Sequence, residues 1–171
     1  MSVSDQLSQG VRQGACRALD GSMKKIGHCL DQLSEEQVWW RPAEEMNSIG
    51  NLMLHLAGNL RQWIVAGVGG AVDNRDRPAE FAPKRTGSKE QLWNQLELVV
   101  EEAKQAIFAT SDADLIRLRL IQGFEVSGIE AVFDSVPHFQ GHAQEIICLS
   151  RMQLGERYEF NWEPSSPDDG A

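Results

Sequence analysis

The 171-residue chain reads as an all-α protein, a four-helix bundle with a long crossover between its second and third long helices. Three observations carry this. Apolar residues recur at steps of three and four along four extended segments, the spacing of a helix that buries one face. Serines followed three residues later by Glu or Gln (Ser34–Gln37, Ser88–Gln91, Ser127–Glu130) mark helix starts, because the two side chains satisfy backbone N–H groups that the first turn leaves free. A stretch rich in Gly, Pro and charge, Gly67 to Gly87, separates the second segment from the third. The length suits one domain with a sizeable core.

The first helix is expected over residues 4–33, with Leu7, Val11, Ala15, Ala18, Ser22, Ile26, Cys29 and Leu33 on one stripe and His28 beside it. Four glycines weaken it, each by up to about 1 kcal/mol relative to alanine, so packing must supply the difference. A short turn follows through Trp39 and Trp40, stopped by Pro42, and the two tryptophans are expected to cover one end of the core. The second long helix starts at Asn47-Ser48 and runs to about Ala66, with Ile49, Leu52, Leu56, Trp63 and Ile64 inward. The third covers about 89–110. LIRLRLIQGFEVSG then alternates in a strand-like way and predicts a short hairpin around Gln122-Gly123. The fourth opens at Ser127, and Pro137 is expected to kink or break it directly before His138, or to start a second, shorter helix. The bundle is placed at 1–157. The polar segment 158–171 is expected to lie on the surface and fray.

A formal net charge of −9 argues against a nucleic-acid partner and against docking on anionic lipid. No apolar run is long enough to cross a bilayer, and the N-terminus lacks the pattern of a secretory signal. Cys16, Cys29 and Cys148 are an odd set without paired spacing, which reads as reduced thiols, three buried small hydrophobes and a cytoplasmic location.

The chemistry lies in the histidines. His138 and His142 are four apart, on one face of a helix, where two imidazoles can grip one divalent ion. His55, on the apolar side of the second helix, is the candidate third ligand. The competing view is that these are ordinary helix histidines. Three imidazoles leave a fourth position for water or substrate, suiting Zn²⁺, while Ni²⁺ fits the same donors. HFQGH lacks the glutamate of a zinc-protease HExxH motif; Glu145, three residues beyond His142, is the candidate base or orienting carboxylate, and Asp134 a weaker one. Asn51 and Asn59, one turn either side of His55, are candidates to hydrogen-bond the site. Cys148, six residues past His142, points elsewhere.

NSIGNLMLHLAGN, NRDRPAEF and HFQGHAQEIICLSRMQLGE together resemble the DinB/YfiT-like superfamily of metal-dependent proteins. The resemblance spans about residues 5–157 and is sharpest in the histidine-bearing segments. It implies an up-down-down-up bundle, a divalent metal on His55, His138 and His142, and a homodimer. Some members are thiol S-transferases acting with low-molecular-weight thiols such as bacillithiol or mycothiol. Members often carry Gly-Gln shortly after the second histidine of the pair, where this chain has Ala143-Gln144.

The leading expectation is therefore a metal-dependent transferase joining a small thiol to an electrophile. A stress-response or binding module with a structural or vestigial metal site, and a metal-dependent hydrolase using Glu145, are the alternatives. Gly67–Gly87 is mildly basic in an acidic protein, so it is expected either to be a solvated crossover or a lid whose Arg75 and Arg77 meet an anionic substrate group off the metal.

Overall fold

A computed structural model describes residues 2–161. Its helices are α1 (Val3–Gln32), α2 (Glu35–Trp39), α3 (Ile49–Leu60, continued by a π-helical turn Arg61–Ala66), α4 (Arg77–Glu80), α5 (Lys89–Ala109), α6 (Asp112–Ile116) and α7 (Gly128–Leu154). A hairpin of β1 (Leu118–Ile121) and β2 (Phe124–Ser127) precedes α7.

The serine caps set the helix starts. Ser34, Ser48, Ser88 and Ser127 each accept from the backbone three residues on, and Gln37, Asn51, Gln91 and Glu130 answer back to the cap. The hairpin turn is Gln122-Gly123, both at positive φ (52° and 86°), as a two-residue turn between twisted strands requires. Gln122 is held there by Trp63, whose Nε1 donates to its side-chain carbonyl at 3.0 Å.

The four long helices form a square in which α1 packs on α5 and α7, and α3 packs on the same two. Cross-helix bonds give the directions. Lys89, at the start of α5, donates to the carbonyls of Leu30 and Leu33 at the end of α1, so these two are antiparallel. The N-terminal halves of α1 and α7 lie together, with Val3 and Leu7 along the same groove as Val132 and Phe133, so these run parallel. On α3 and α7, His55 meets His138 and Asn59 meets Ser135, an antiparallel pairing. It follows that α3 and α5 are parallel, the arrangement is up-down-down-up, and a long connection must return the chain between them. Leu19, Ile26, Ile49, Leu52, Leu56, Leu96, Ile107, Phe139 and Ile146 form the fully buried centre.

Four expectations change. α7 runs unbroken through Pro137; the proline sits on the exposed side of the helix, and buried Val136 and Phe139 on the inner side hold it to the core. Leu7, on the expected apolar stripe of α1, is 67% exposed beside Phe133, with no described residue packed over it. Cys148 faces outward on α7 with Arg151 and Met152, and only Cys16 and Cys29 are buried. The segment after α7 is docked and not frayed: Tyr158 packs against the core near Cys29, and Gln32 bonds both the carbonyl and the amide of Glu159. His28 joins this contact, which takes it away from the other histidines. Expectations for 162–171 lie outside the described residues. Among the described residues, no helix is long and apolar enough to cross a membrane.

Candidate metal centre

His55 stands midway along α3, and His138 and His142 on successive turns of α7 where the two helices cross. Ligand nitrogens of the three rings all lie within 4.8 Å of one another. The ring centroids are 5.0 Å (His55–His138), 5.1 Å (His55–His142) and 4.5 Å (His138–His142) apart, each pair nearly perpendicular. The Nε2 atoms of His55 and His138 are 2.9 Å apart. Two nitrogens bound tetrahedrally to one Zn²⁺ at about 2.0–2.1 Å would be about 3.3 Å apart, so only a small outward shift is needed.

Carboxylates decide which nitrogens face inward. His142 Nδ1 lies 2.7 Å from Glu145 Oε2, and His55 Nδ1 lies 2.9 Å from Glu80 Oε2. A carboxylate only accepts, so each Nδ1 carries the hydrogen and each Nε2 keeps its lone pair for a ligand. Arg75 Nη2 also approaches His55 Nδ1, at 3.2 Å. An arginine can only donate, so the two contacts cannot both be hydrogen bonds to one nitrogen. The shorter carboxylate contact prevails, and Arg75 Nη2 is occupied by Glu80 Oε2 at 2.8 Å.

Burial first, then His142, His55 and Arg75, holds the pKa of His138 down at about 4. Burial also lowers His55, against an opposing pull from Glu80. Neutral imidazole is the form that ligates metal, so the lowering at His55 and His138 favours a cation there. The donor set fits a divalent ion: three inward nitrogens, two of them backed by carboxylates, and, among the described residues, no protein donor in a fourth place in the cluster. The His55 side chain is 9% exposed and that of His142 24%, so the site opens toward the His142 side.

The other candidate residues fall around this centre with different duties. Glu145 is engaged by His142, which gives it an orienting contact. Asp134 is exposed and bonds to none of the histidines. Asn51 is buried and fully committed: its Oδ1 accepts from Ser48 and Arg41, and its Nδ2 donates to the carbonyls of Glu80 and Ala82. Asn59 accepts from Ser135 at 2.8 Å, tying α3 to α7 beside the histidines without touching them.

Arg75 departs from the expectation of a substrate-facing arginine. Its side chain is 3% exposed and forks onto Glu80, at 2.6 Å from Oε1 and 2.8 Å from Oε2, with Nη1 on Gln62. Arg77 does face outward, over the ring of Phe81 at 5.2 Å, and Phe81 lies 5.0 Å from the His55 ring. Sequence reasoning missed Glu80 and Phe81. Glu80 looked like one acid among mixed charges, and its contact with His55 closes through an irregular segment that no periodicity describes. The available hint was Gly58, a small residue one turn after His55 on an otherwise apolar helix, a sign that another chain segment approaches closely.

A family model described as "Protein of unknown function (DUF1572)" matches residues 12–163. Among solved structures, a conserved protein from Enterococcus faecalis superposes with a TM-score of 0.69 at 17% identity, covering 91% of this chain and 99% of that one. A DinB-like protein from Bacillus cereus ATCC 10987 superposes with a TM-score of 0.63 at 14% identity, covering 84% and 92%. These two likenesses speak for the fold. No curated protein matches by sequence.

Proposed function

The chain belongs to the DUF1572 family, a DinB-like family, and on that premise we propose that it is a divalent-metal-dependent enzyme activating a low-molecular-weight thiol for transfer to an electrophile. The observation that carries the reading is the convergence of His55, His138 and His142, with the Nδ1 atoms of His55 and His142 turned to carboxylates and one side open. When bound there, Zn²⁺ or Ni²⁺ supplies Lewis-acid chemistry that favours the deprotonated form of a thiol or of water near neutral pH.

The chain's own residues have separable tasks. The three histidines hold the ion. Glu145 fixes the ring of His142 through Nδ1, and Glu80 does so for His55. Phe81 presents an apolar face beside His55. Arg77 is the outward cation nearest that face, placed to pair with a carboxylate on the thiol or its acceptor while staying off the metal. Arg75, turned inward onto Glu80, has no part in substrate binding. A hydrolase using Glu145 as base fits less well, since that carboxylate already accepts from a ligand imidazole.

Metal analysis of untagged protein should give about one zinc or nickel per chain. A panel of thiols with a chromogenic electrophile should then reveal metal-dependent turnover. Metal at full occupancy without turnover by any thiol favours the alternative, a binding module with a structural ion. Arg77→Ala should raise the Michaelis constant for a carboxylate-bearing thiol and leave metal content unchanged. The proposal includes a homodimer, and light scattering on the eluting protein measures it.

A further inference from the structure

The buried carboxylate behind His55 is enclosed on three sides, two of them by α3 and one by the connection that carries it. Glu80, on the one-turn helix α4, is 6% exposed. Arg75 clamps both of its oxygens in a bidentate fork, while Oε2 also accepts from His55. On the third side is Gly58, one turn beyond His55. A Cβ there would lie 2.0 Å from Glu80 Oε1 and 3.1 Å from Arg75 Nε. A side chain at position 58 would displace the carboxylate from the place where it meets His55. The connection is fastened to α3 along its length: Asp73 accepts from Gln62, Arg75 donates to Gln62, and Asn51 holds the carbonyls of Glu80 and Ala82. From its start beyond Ala66 the chain thus runs back along α3, past His55, to Asn51.

We propose that Glu80, Arg75 and Gly58 form a single positioning unit for the metal centre, and that the 67–87 connection is a built part of that centre and not a substrate lid. The reasoning is geometric. A ligand imidazole binds well only in the right tautomer and ring orientation, and the partner on its other nitrogen sets both. Glu80 is that partner for His55. A carboxylate this buried needs its charge matched and its lone pairs filled, and the planar fork of Arg75 does both where a lysine would make one contact. Gly58 supplies the room. Arg75 and Gly58 are not ligands; both bear on the centre through the placing of Glu80.

The inference rests on the metal reading, and one titration separates the two. Full-length protein freed of metal is titrated with Zn²⁺ against a competing chelator dye, and with Co²⁺ while its visible spectrum is followed. The wild type should take up one ion. Glu80→Gln, Arg75→Ala and Gly58→Ala should each weaken uptake by about 10–100-fold and alter the Co²⁺ bands, with the helical circular dichroism kept. Arg75→Lys should not restore affinity. Glu80→Gln combined with Arg75→Ala should lose little beyond the worse single variant, as for residues acting as one unit. Arg41→Ala is the control: it loosens the same connection at Ala82 and removes one contact to Asn51, without touching the Glu80 carboxylate, and should leave ion affinity within a few-fold of wild type. Equal losses in Arg41→Ala and Arg75→Ala would reduce the network to general scaffolding and overturn the proposal. Folded Glu80 and Arg75 variants that bind as wild type would overturn it too. If Glu80→Gln fails to fold, Gly58→Ala decides, because it keeps both charged partners. A wild type that binds no ion overturns the metal reading itself, and this inference with it.

Discussion

The hydroxyl of Ser135 donates to the side-chain carbonyl of Asn59 across 2.8 Å, joining α7 to α3 one turn from His138 and one turn from His55. Ser135 is 1% exposed, so its hydroxyl has no water to fall back on. The bond therefore sets the spacing of the two helices where the imidazoles must meet. Ser135→Ala should cost about 0.5–1.5 kcal/mol, the usual net worth of one such bond. That corresponds to a drop of roughly 2–4 °C in melting temperature per kcal/mol for a chain of this size. In a double-mutant cycle with Asn59→Ala, most of the loss should appear as coupling. Purely additive effects would show that the spacing is set elsewhere.

Glycines inside the long helices give a prediction of opposite sign. A Cβ added at Gly10 of α1 or Gly141 of α7 would meet nothing among the described residues within 4 Å. Both sit in ordinary helix, where alanine is favoured by up to about 1 kcal/mol. Gly10→Ala and Gly141→Ala should each raise the urea midpoint without changing the slope of the transition. Gly50→Ala should do the reverse, because its Cβ would lie 2.9 Å from the ring of Trp39. A Gly50→Ala protein as stable as wild type would refute the reading of Gly50 as a packing glycine.

How far the sequence was legible follows from the range of each signal. Serine caps act over three residues, and the structure has Ser34, Ser48, Ser88 and Ser127 at the helix starts they announce. The pairing of His138 with His142 is likewise local. His55 joins them because an apolar stripe has only one way to face the core. Glu80 was not legible: its bond to His55 spans 25 residues through a segment whose path depends on Asn51, Gln62 and Gly58 together. The break expected at Pro137 is absent, and α7 runs through it. The rule that proline breaks helices weighs one lost backbone bond, whereas buried Val132, Val136, Phe139 and Ala143 on either side of it favour continuity.

Removing one ligand tests whether the centre is separate from the fold. The core around Leu52, Leu56, Phe139 and Ile146 is fully buried by apolar packing. His142→Ala should therefore abolish stoichiometric zinc binding while the helical dichroism and the cooperative thermal transition persist. Loss of the helical signal together with the metal would make the ion structural, as in small zinc domains.

The final prediction concerns acid. His138 is held at about 4 in the folded protein, chiefly by burial, and His55 is lowered for the same first reason. In the unfolded chain both should titrate near 6.5. Above that pH neither state carries the proton, and stability is indifferent to these groups. As pH falls through 6.5, the unfolded chain binds protons that the folded chain refuses. The derivative of unfolding free energy with pH is then positive, and stability drains away until the folded His138 titrates near 4. Metal-free protein should accordingly melt at progressively lower temperature between pH 6.5 and about 4, over and above any carboxylate effect. His138→Gln removes the largest part of this term, so its melting temperature should fall less steeply across the same window. Parallel pH profiles for wild type and His138→Gln would show that the cluster is not a depressed one.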